Sequence, residues 1–253
     1  MYNSLLSDIS HFPAQHISDF KSAEKAACCI VCALQEVRGL LCPGLSTSKL
    51  AGIVERRLAA EHADAGAIVT ISPEETAWHG MPGNRLLHEG EIVSVDIACS
   101  VKGWWADMCA TYPVGVVDEK RMRLLQAAQE ATFRISTLLK DGYNGREGRA
   151  VINQICGEYQ VTLIPDAAGH GIGRQLHCNP LLPYSGGTHL PLTAKHTCTI
   201  EPVFTTGCGT VIYSDDGSAV TADGEPAAHF ELSVFIEHDS ARILGQRGAC
   251  TPF

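Results

Sequence analysis

Two aspartates lie eleven positions apart in a stretch that otherwise has the composition of buried β-strands. Asp96 stands between Val95 and Ile97, and Asp107 follows the segment Gly103-Trp-Trp-Ala. A carboxylate among apolar side chains is costly to bury without a partner. Two carboxylates that a hairpin brings together repel each other, so either one holds a proton or a cation lies between them. This pair is the first candidate for a chemically active site.

Three more residues extend the aspartate pair into a potential metal centre. Glu201 and Glu231 each interrupt an apolar run, and His170 stands between glycines that let the backbone approach its neighbours closely. Carboxylates combined with one imidazole suit Mn²⁺, Fe²⁺ or Co²⁺, and Zn²⁺ is also compatible. Four carboxylates carry too much negative charge for one cation, so the set predicts two divalent metal ions about 3.5–4 Å apart.

Each of these residues taken alone also has an ordinary structural interpretation. A single aspartate in a strand is often an edge or capping residue, a glutamate in a half-buried strand often faces solvent, and a lone histidine is usually structural. Their joint occurrence in separate apolar segments favours the metal-site interpretation over these alternatives.

The elements that must position these residues follow a repeated order. Helices are predicted at 18–38, 46–60, 120–139 and 147–159, and strands at 67–72, 91–101, 104–115, 196–206, 209–214 and 227–237, with glycine-rich loops before 196. Lys102-Gly103 has the composition of a hairpin turn between the strands that carry the two aspartates. Two helices followed by strands, twice over, suggest an internal duplication. We therefore expect an α+β fold with helices on one face of an antiparallel sheet.

Composition sets limits on the class of protein. The chain has 253 residues, 45% of them hydrophobic, which suffices for one full core, and we expect a single domain over 18–253 after an N-terminal extension, 1–17. A net charge of −9 without a basic stretch argues against a nucleic-acid partner. The apolar run 26–34 is too short for a membrane span. A signal peptide is not expected, because the first residues do not place a cationic segment before an apolar one. The sequence does not determine an oligomeric state.

The cysteines favour a reducing, cytoplasmic compartment. Their number, eleven, is odd, and several lie in apolar helical or strand-like runs, as small hydrophobic residues do. Cys29 and Cys32 form a C-x-x-C pair, but no second pair at similar spacing completes a zinc site. A redox role for this pair is the weaker interpretation.

The motifs as a set resemble the methionine aminopeptidases and the wider pita-bread group that includes aminopeptidase P and prolidase. The resemblance runs from about Asp19 to about Ile243. It rests on Trp78-His-Gly-Met-Pro, Glu91-Ile-Val-Ser-Val-Asp, Gly103-Trp-Trp-Ala-Asp, Ala168-Gly-His-Gly-Ile-Gly-Arg, Thr199-Ile-Glu-Pro and Phe230-Glu. The short stretch between His177 and Glu201 is similar to the type I form.

This resemblance implies a pita-bread fold, in which a pseudo-two-fold antiparallel sheet is covered by two pairs of helices. It also implies roles for single residues. The five metal ligands would be Asp96, Asp107, His170, Glu201 and Glu231. His79 and His177 would position the scissile amide and stabilise the developing oxyanion, and Glu201 would also move a proton. The substrate would be a peptide or small amide with a free amino end.

Several positions depart from the family pattern. The segment 61–73, which in the family helps to form the methionine pocket, is short and lacks aromatic residues, and Leu176 and Ser218 stand where aromatic residues are usual. Near the ligands, Ala98, Met108-Cys109 and Leu232 replace usual polar partners, which we expect to affect metal affinity. Leu176 remains a candidate substrate-binding residue.

These departures leave three functional hypotheses. The first is a two-metal hydrolase of the methionine aminopeptidase type with a non-standard substrate, for example in a biosynthetic pathway. The second is a housekeeping methionine aminopeptidase that removes initiator methionine. The third is an inactive pita-bread binding scaffold, which the retained ligands disfavour. A Rossmann-type cofactor site at 169–173 is disfavoured because its glycine spacing is wrong.

Overall fold

The structure is a computed structural model that describes residues 18–186 and 189–246. The predicted N-terminal extension, 1–17, lies outside the described residues, as do 187–188 and 247–253. The helices are α1 (Phe20–Leu40), α2 (Thr47–Ala60), α3 (Glu119–Ser136) and α4 (Arg146–Tyr159). Asp19 and Ser46 accept hydrogen bonds from backbone N–H groups in the first turns of α1 and α2 and so cap these helices.

The strands are shorter and more numerous than the sequence predicted. They are β1 (Ile68–Pro73), β2 (Thr76–Trp78), β3 (Ile92–Val101), β4 (Trp104–Pro113), β5 (Thr162–Leu163), β6 (Ala168–Ile172), β7 (Cys178–Pro183), β8 (Thr197–Ile200), β9 (Val203–Thr205), β10 (Val211–Tyr213), β11 (Ala219–Thr221), β12 (Ala227–His229), β13 (Leu232–Ile236) and β14 (Ala241–Ile243). The predicted strands 196–206 and 227–237 are each interrupted just before or at a candidate metal ligand.

The predicted hairpin is present as β3 and β4. Lys102 and Gly103 both have positive φ, 52° and 72°, as the two central residues of a type I′ turn require. In the resulting register Asp96 pairs with Cys109 and Ala98 pairs with Asp107. Paired residues of antiparallel strands share a face, so both aspartates project from the same side of the hairpin.

The two halves of the fold meet between β4 and the chain that enters β13. One sheet has the order β1-β3-β4, and another has the order β14-β13-β8-β6-β7. Cys109 and Glu231 form an isolated antiparallel bridge between them, and the Ser233 hydroxyl binds both the backbone N–H and the carbonyl of Asp107. Helices α1 and α2 pack against each other, with α1 also on β3 and β4 and α2 on β1. Helices α3 and α4 form the second pair, with α3 on β9, β12, β8 and β13 and α4 on β5. This confirms the α+β pita-bread fold with two pairs of helices.

The glycine-rich stretch before 196, which the sequence predicted as loop, contains strand β6 between β7 and β8. Glycine is a poor strand former, but here close backbone approach requires it. A Cβ atom on Gly169 would lie 2.4 Å from the Thr199 carbonyl oxygen, and one on Gly171 would lie 2.1 Å from the Asn179 carbonyl oxygen. Within the described part of the chain, no helix is long and apolar enough to cross a membrane.

Candidate metal centre

Strand register brings three of the predicted ligands to one face of the junction between the two halves. Asp96 pairs with Cys109 across the hairpin, and Cys109 pairs in turn with Glu231. Asp107 lies two residues before Cys109 and therefore on the same face. One ligand oxygen of each of Asp96, Asp107 and Glu231 lies within 4.8 Å of the others, so the three can share an ion.

The other two predicted ligands come from β6 and from the end of β8. The His170 Nε2 atom lies 3.4 Å from Oε1 of Glu201. Its Nδ1 lies 2.9 Å from the carbonyl oxygen of Gly171, which fits an Nδ1–H donor and leaves Nε2 free to bind a metal. His170, Glu201 and Glu231 form a second group whose ligand atoms lie within 4.8 Å of one another. Glu231 belongs to both groups, as a residue between two ions would.

Several oxygen atoms of this cluster are buried and have no hydrogen-bond partner among the residues that the structure describes. They are Oδ1 of Asp96, Oδ1 of Asp107 and Oε1 of Glu231. Buried carboxylate oxygens are rarely left unpaired, and an ion that neutralises them is a common reason. The donor chemistry and these unpaired atoms therefore fit the two divalent ions that the sequence predicted.

The electrostatics of the cluster point to the same conclusion. Burial raises the pKa of Asp96 to about 6 and that of Glu201 to about 8. Burial and the neighbouring carboxylates hold the pKa of Asp107 and of Glu231 well above the ordinary range. Without a cation Asp107, Glu201 and Glu231 keep protons at neutral pH, and divalent ions would replace those protons.

The two predicted substrate-binding histidines lie beside the ligand cluster. The rings of His177 and His170 are 4.4 Å apart between centroids, and His177 can also share an ion with Asp107 and His170. Burial lowers the pKa of His177 to about 4, so its imidazole is neutral at neutral pH. His79 is exposed at the edge of the cleft. Partial desolvation of its ring by the surrounding cleft also lowers its pKa.

The backbone at His79 is held in an unusual conformation. Its φ is +58°, in the left-handed region that side chains other than glycine seldom adopt. The next residue, Gly80, is fixed by a hydrogen bond from its N–H to the Ser72 hydroxyl and another from Ile71 N–H to its carbonyl. Such strain, maintained by surrounding contacts, is typical of functional sites.

Two connected spaces open at the ligands. The inner cavity has a volume of about 90 Å³, and its lining includes all five ligands, Trp78, His177 and His229. The outer cleft has a volume of about 430 Å³ and is lined by residues that include Ile68, Trp78, His79, Met81, Leu176, His177 and Tyr213. Leu176 is thus placed where the sequence predicted, at the approach to the ligands.

Sequence reasoning missed aromatic residues in this cleft. The shortened segment 61–73 lacks them, but Trp78 and Tyr213 line the outer cleft from β2 and β10, with ring centroids 6.4 Å apart. The departures at 61–73, Leu176 and Ser218 therefore do not leave the cleft without aromatic residues, because other strands supply them. Trp78 could have been suspected from its position beside His79, whereas Tyr213 depends on the pairing of β10, β11 and β2.

Sequence reasoning also missed the residues that hold the ligands in place. The Thr199 hydroxyl donates to Oε1 of Glu201 at 2.6 Å and accepts from the backbone N–H of His170 at 3.0 Å. The Tyr184 hydroxyl accepts the backbone N–H of Glu201 at 2.6 Å. These contacts supply some of the polar support whose loss Ala98, Met108 and Leu232 suggested. His229 was missed as well, although it stands two residues before Glu231.

The fold and this donor set together define a metalloaminopeptidase of the pita-bread class. The sequence profile of Peptidase_M24, metallopeptidase family M24, matches residues 21–240. The chain therefore belongs to metallopeptidase family M24.

Known proteins similar to this chain support the assignment. Methionine aminopeptidase 1 of Bacillus subtilis (strain 168) is 29% identical over 83% of this chain and 89% of that protein. Methionine aminopeptidase of Clostridium perfringens (strain 13 / Type A) is 31% identical over 80% of this chain and 86% of that protein. The crystal structure of methionine aminopeptidase from Thermotoga maritima superposes with a TM-score of 0.87 at 29% identity, covering 93% of this chain and all of that one.

Proposed function

We propose that this metalloaminopeptidase cleaves the first residue from a peptide or small amide whose first side chain is apolar and larger than methionine. The observation that carries the proposal is the outer cleft, which opens directly beside the ligand cluster. Its volume of about 430 Å³ lies in the range of about 300–1,000 Å³ typical of pockets for drug-sized ligands. A methionine side chain would fill only part of such a space.

The residues of the centre have separate tasks in this reaction. Two divalent ions, when bound, polarise a carbonyl group and lower the pKa of a water molecule. Asp96, Asp107, His170, Glu201 and Glu231 would hold them, with Mn²⁺ or Co²⁺ as the ions we favour for this oxygen-rich set. Glu201 lines the inner cavity among the ligands, which suits a carboxylate that accepts a proton and returns it to the leaving amine.

The neutral histidines at the cleft would position the substrate amide. We assign His177 to the scissile carbonyl, where an imidazole N–H stabilises negative charge as it develops. His79, on the strained backbone between the cavity and the outer cleft, would contact the substrate near its amino end.

The cleft lining favours apolar and aromatic first side chains. Trp78 and Tyr213 offer ring surface to the cleft. Ile68 and Met81, which are 46% and 61% exposed, offer aliphatic surface. Exposed apolar residues gathered at one cleft mark a binding surface more often than a structural one. Burial of a large apolar side chain contributes about 1.5–3 kcal/mol, enough to change substrate preference tenfold or more.

A panel of tripeptides Xaa-Ala-Ser with Mn²⁺ or Co²⁺ tests the proposal. We expect the ratio kcat/KM to be higher for Phe, Tyr or Trp in the first position than for Met, and lowest for Gly. A clear preference for Met over all larger residues would contradict the proposed substrate while leaving the metalloaminopeptidase class intact. N-acetylated versions of the same peptides serve as controls, because they lack the free amino end and should not be cleaved.

Removal of initiator methionine is the second candidate function. It is supported by the names of the relatives, which are methionine aminopeptidases from bacteria and eukaryotes. The apolar cleft is chemically compatible with methionine. The tripeptide panel separates the two candidates, because the housekeeping role requires Met-Ala-Ser to be the best substrate. We further propose a cytoplasmic location, supported by the odd number of cysteines and by the burial of Cys29, Cys99 and Cys198.

A further inference from the structure

His229 is a buried histidine at the candidate metal centre. It is not one of the five predicted ligands, and the proposed reaction assigns it no role. It ends strand β12, where it pairs with Val203 of β9, and only 3% of its surface is exposed. Its side chain lines the inner cavity together with the ligands. It is therefore placed to act on whatever occupies that cavity.

The backbone of His229 is fixed on both sides by one threonine of β4. The Thr111 hydroxyl accepts the backbone N–H of His229 at 2.9 Å and donates to its carbonyl oxygen at 2.7 Å. Thr111 is in turn 2.8 Å from the Ser94 hydroxyl. Such a doubly anchored residue holds its ring in one place, as a ligand or a substrate contact requires.

The ring of His229 is polar and buried, yet neither of its nitrogens has a hydrogen-bond partner among residues 18–186 and 189–246. Both Nδ1 and Nε2 are inaccessible to solvent and without a hydrogen bond. A buried polar group without a hydrogen bond is energetically costly and therefore rare, and ligation of an ion is one arrangement that satisfies it. The unpaired carboxylate oxygens of the same cavity have that explanation already.

Distances place Nε2 of His229 within reach of an ion held by two of the ligands. It lies 4.0 Å from Oε2 of Glu201 and 3.9 Å from Oε2 of Glu231. Two donor atoms that bind one ion at about 2.0–2.2 Å can be separated by at most about 4.4 Å. Both separations satisfy this limit, whereas they are too long for direct hydrogen bonds.

We propose that His229 is a sixth protein ligand of the metal centre, binding through Nε2 the ion that His170, Glu201 and Glu231 hold. That ion then has two imidazole ligands and two carboxylates. Imidazole favours Zn²⁺, Co²⁺ and Fe²⁺ over Mn²⁺, so His229 shifts the selectivity of this position toward the softer ions. The inference concerns the metal centre and is independent of which substrate the enzyme cleaves.

The structure also indicates how strong this ligand should be. The Nδ1 atom of His170 lies beside a backbone carbonyl, which orients the ring and increases its basicity. The Nδ1 atom of His229 has no such hydrogen-bond partner in the described part of the chain. We therefore expect His229 to be the weaker of the two imidazole ligands, with a contribution to affinity near the lower end of the range for a direct ligand.

The variant His229→Gln tests the proposal through metal binding, not activity. Isothermal titration of the metal-free proteins should show about tenfold or greater loss of Co²⁺ and Zn²⁺ affinity at one of the two sites, and a smaller loss for Mn²⁺. The visible absorption of the Co²⁺ form should also change. His196→Gln, at a buried histidine outside the cavity lining, is the matched control and should bind as the wild type does. Unchanged Co²⁺ affinity and spectrum in the His229→Gln variant would overturn the proposal.

A second measurement removes the dependence on a folded variant. A crystal structure of the zinc-loaded wild-type enzyme should place Nε2 of His229 about 2.0–2.2 Å from one ion. A separation above about 3 Å, with both ions present, would overturn the proposal. If the zinc-loaded protein shows no peptidase activity, the proposed function is contradicted but the position of His229 beside the ion is not. Failure of the proposed function and failure of the His229 proposal can therefore be told apart.

Discussion

Glu231 and Cys109 exchange backbone hydrogen bonds across the junction of the two halves of the fold. The N–H of Glu231 donates to the carbonyl oxygen of Cys109 at 2.9 Å, and the reverse bond is 3.3 Å long. Because Cys109 is also the hairpin partner of Asp96, this bridge sets a metal ligand from the second half beside the aspartates of the first. The candidate metal centre thus lies where the two halves of the fold join, and ion binding should stabilise that junction.

Replacement of Glu201 by Gln tests the assignment of the proton-transfer group. A glutamine cannot accept a proton and is a poorer metal ligand, so kcat should fall by about 10²–10⁴-fold. Peptide hydrolysis by the metal-loaded variant gives the measurement, with Glu119→Gln, at an exposed residue in the first turn of α3, as the control. A Glu201→Gln variant with wild-type kcat would refute the role.

Replacement of His177 by Ala should lower kcat more than it raises KM. The neutral imidazole is assigned to charge that develops during the reaction, and loss of one such hydrogen bond typically costs about 10²–10³-fold in kcat. Steady-state kinetics on the best tripeptide separate the two parameters. His238→Ala changes a histidine whose side chain is 84% exposed and should behave as the wild type. An increase in KM alone would show that His177 only binds substrate.

Stability of the metal-free protein should fall as the pH rises from 6.5 to 8. Burial raises the pKa of Glu201 from 4.5 to about 8, so stability from its retained proton is complete below pH 4.5 and lost as the pH rises through 8. Burial lowers the pKa of His170 and His229 from 6.5 to about 3. Their contribution to stability is therefore complete above pH 6.5 and is lost only as the pH falls toward 3, so it does not offset the loss from Glu201 between pH 6.5 and 8.

Urea denaturation at both ends of this window measures the effect. For Glu201 alone the loss is on the order of 1–2 kcal/mol in the free energy of unfolding. Saturating Mn²⁺ should abolish or reverse it, because the ions displace the protons. A metal-free protein that gains stability over this window would show that the carboxyl cluster does not retain protons.

Truncation of Tyr213 should reduce the preference for large first side chains. Its ring lines the outer cleft beside Trp78, so Tyr213→Ala should lower kcat/KM for Phe-Ala-Ser by about tenfold and affect Ala-Ala-Ser little. Ile212 is the preceding residue of β10, is 58% exposed and does not line the cleft, which makes Ile212→Ala the matched control. Equal losses for both peptides would place Tyr213 outside substrate recognition.

A methyl group at Gly171 should destabilise the strand that carries His170. The added Cβ would lie 2.1 Å from the Asn179 carbonyl oxygen, so backbone must move, and we expect Gly171→Ala to cost at least about 1–3 kcal/mol. Gly157 in α4 has no neighbour within 4 Å of such a Cβ, and Gly157→Ala should stabilise the helix by about 1 kcal/mol. Thermal unfolding of both variants checks the contrast, which disappears if β6 is loosely packed.

The sequence singles out the four candidate carboxylate ligands because each is a charged residue inside an apolar segment, and the structure brings them together with His170. Asp96 and Glu231 stand out by composition alone, and the motifs around them are specific in order and spacing. The pairing of Asp96 with Glu231 through Cys109 was not predictable from either segment, since it depends on how distant strands associate. For the same reason Tyr213 and Thr111 were missed, because their proximity to the site arises only from sheet topology.

The prediction failed locally where glycine or a strand break decides the structure. Strand β6 was taken for loop because Gly169 and Gly171 are poor strand formers, whereas close packing against Thr199 and Asn179 requires them. The breaks near Glu201 and Glu231 divide predicted continuous strands, and a hydrophobic pattern alone does not reveal such breaks. Both errors lie at the metal centre, where function overrides local propensity.

Hydrolysis of a free-amino tripeptide during stepwise addition of Co²⁺ or Mn²⁺ to the metal-free protein tests the central assignment most directly. The account predicts no hydrolysis without metal, a rise as ions are added, and saturation once two ions per chain are bound, with no cleavage of the N-acetylated peptide. Absence of hydrolysis at every metal ratio, with a panel that includes Met and larger first residues, would contradict it.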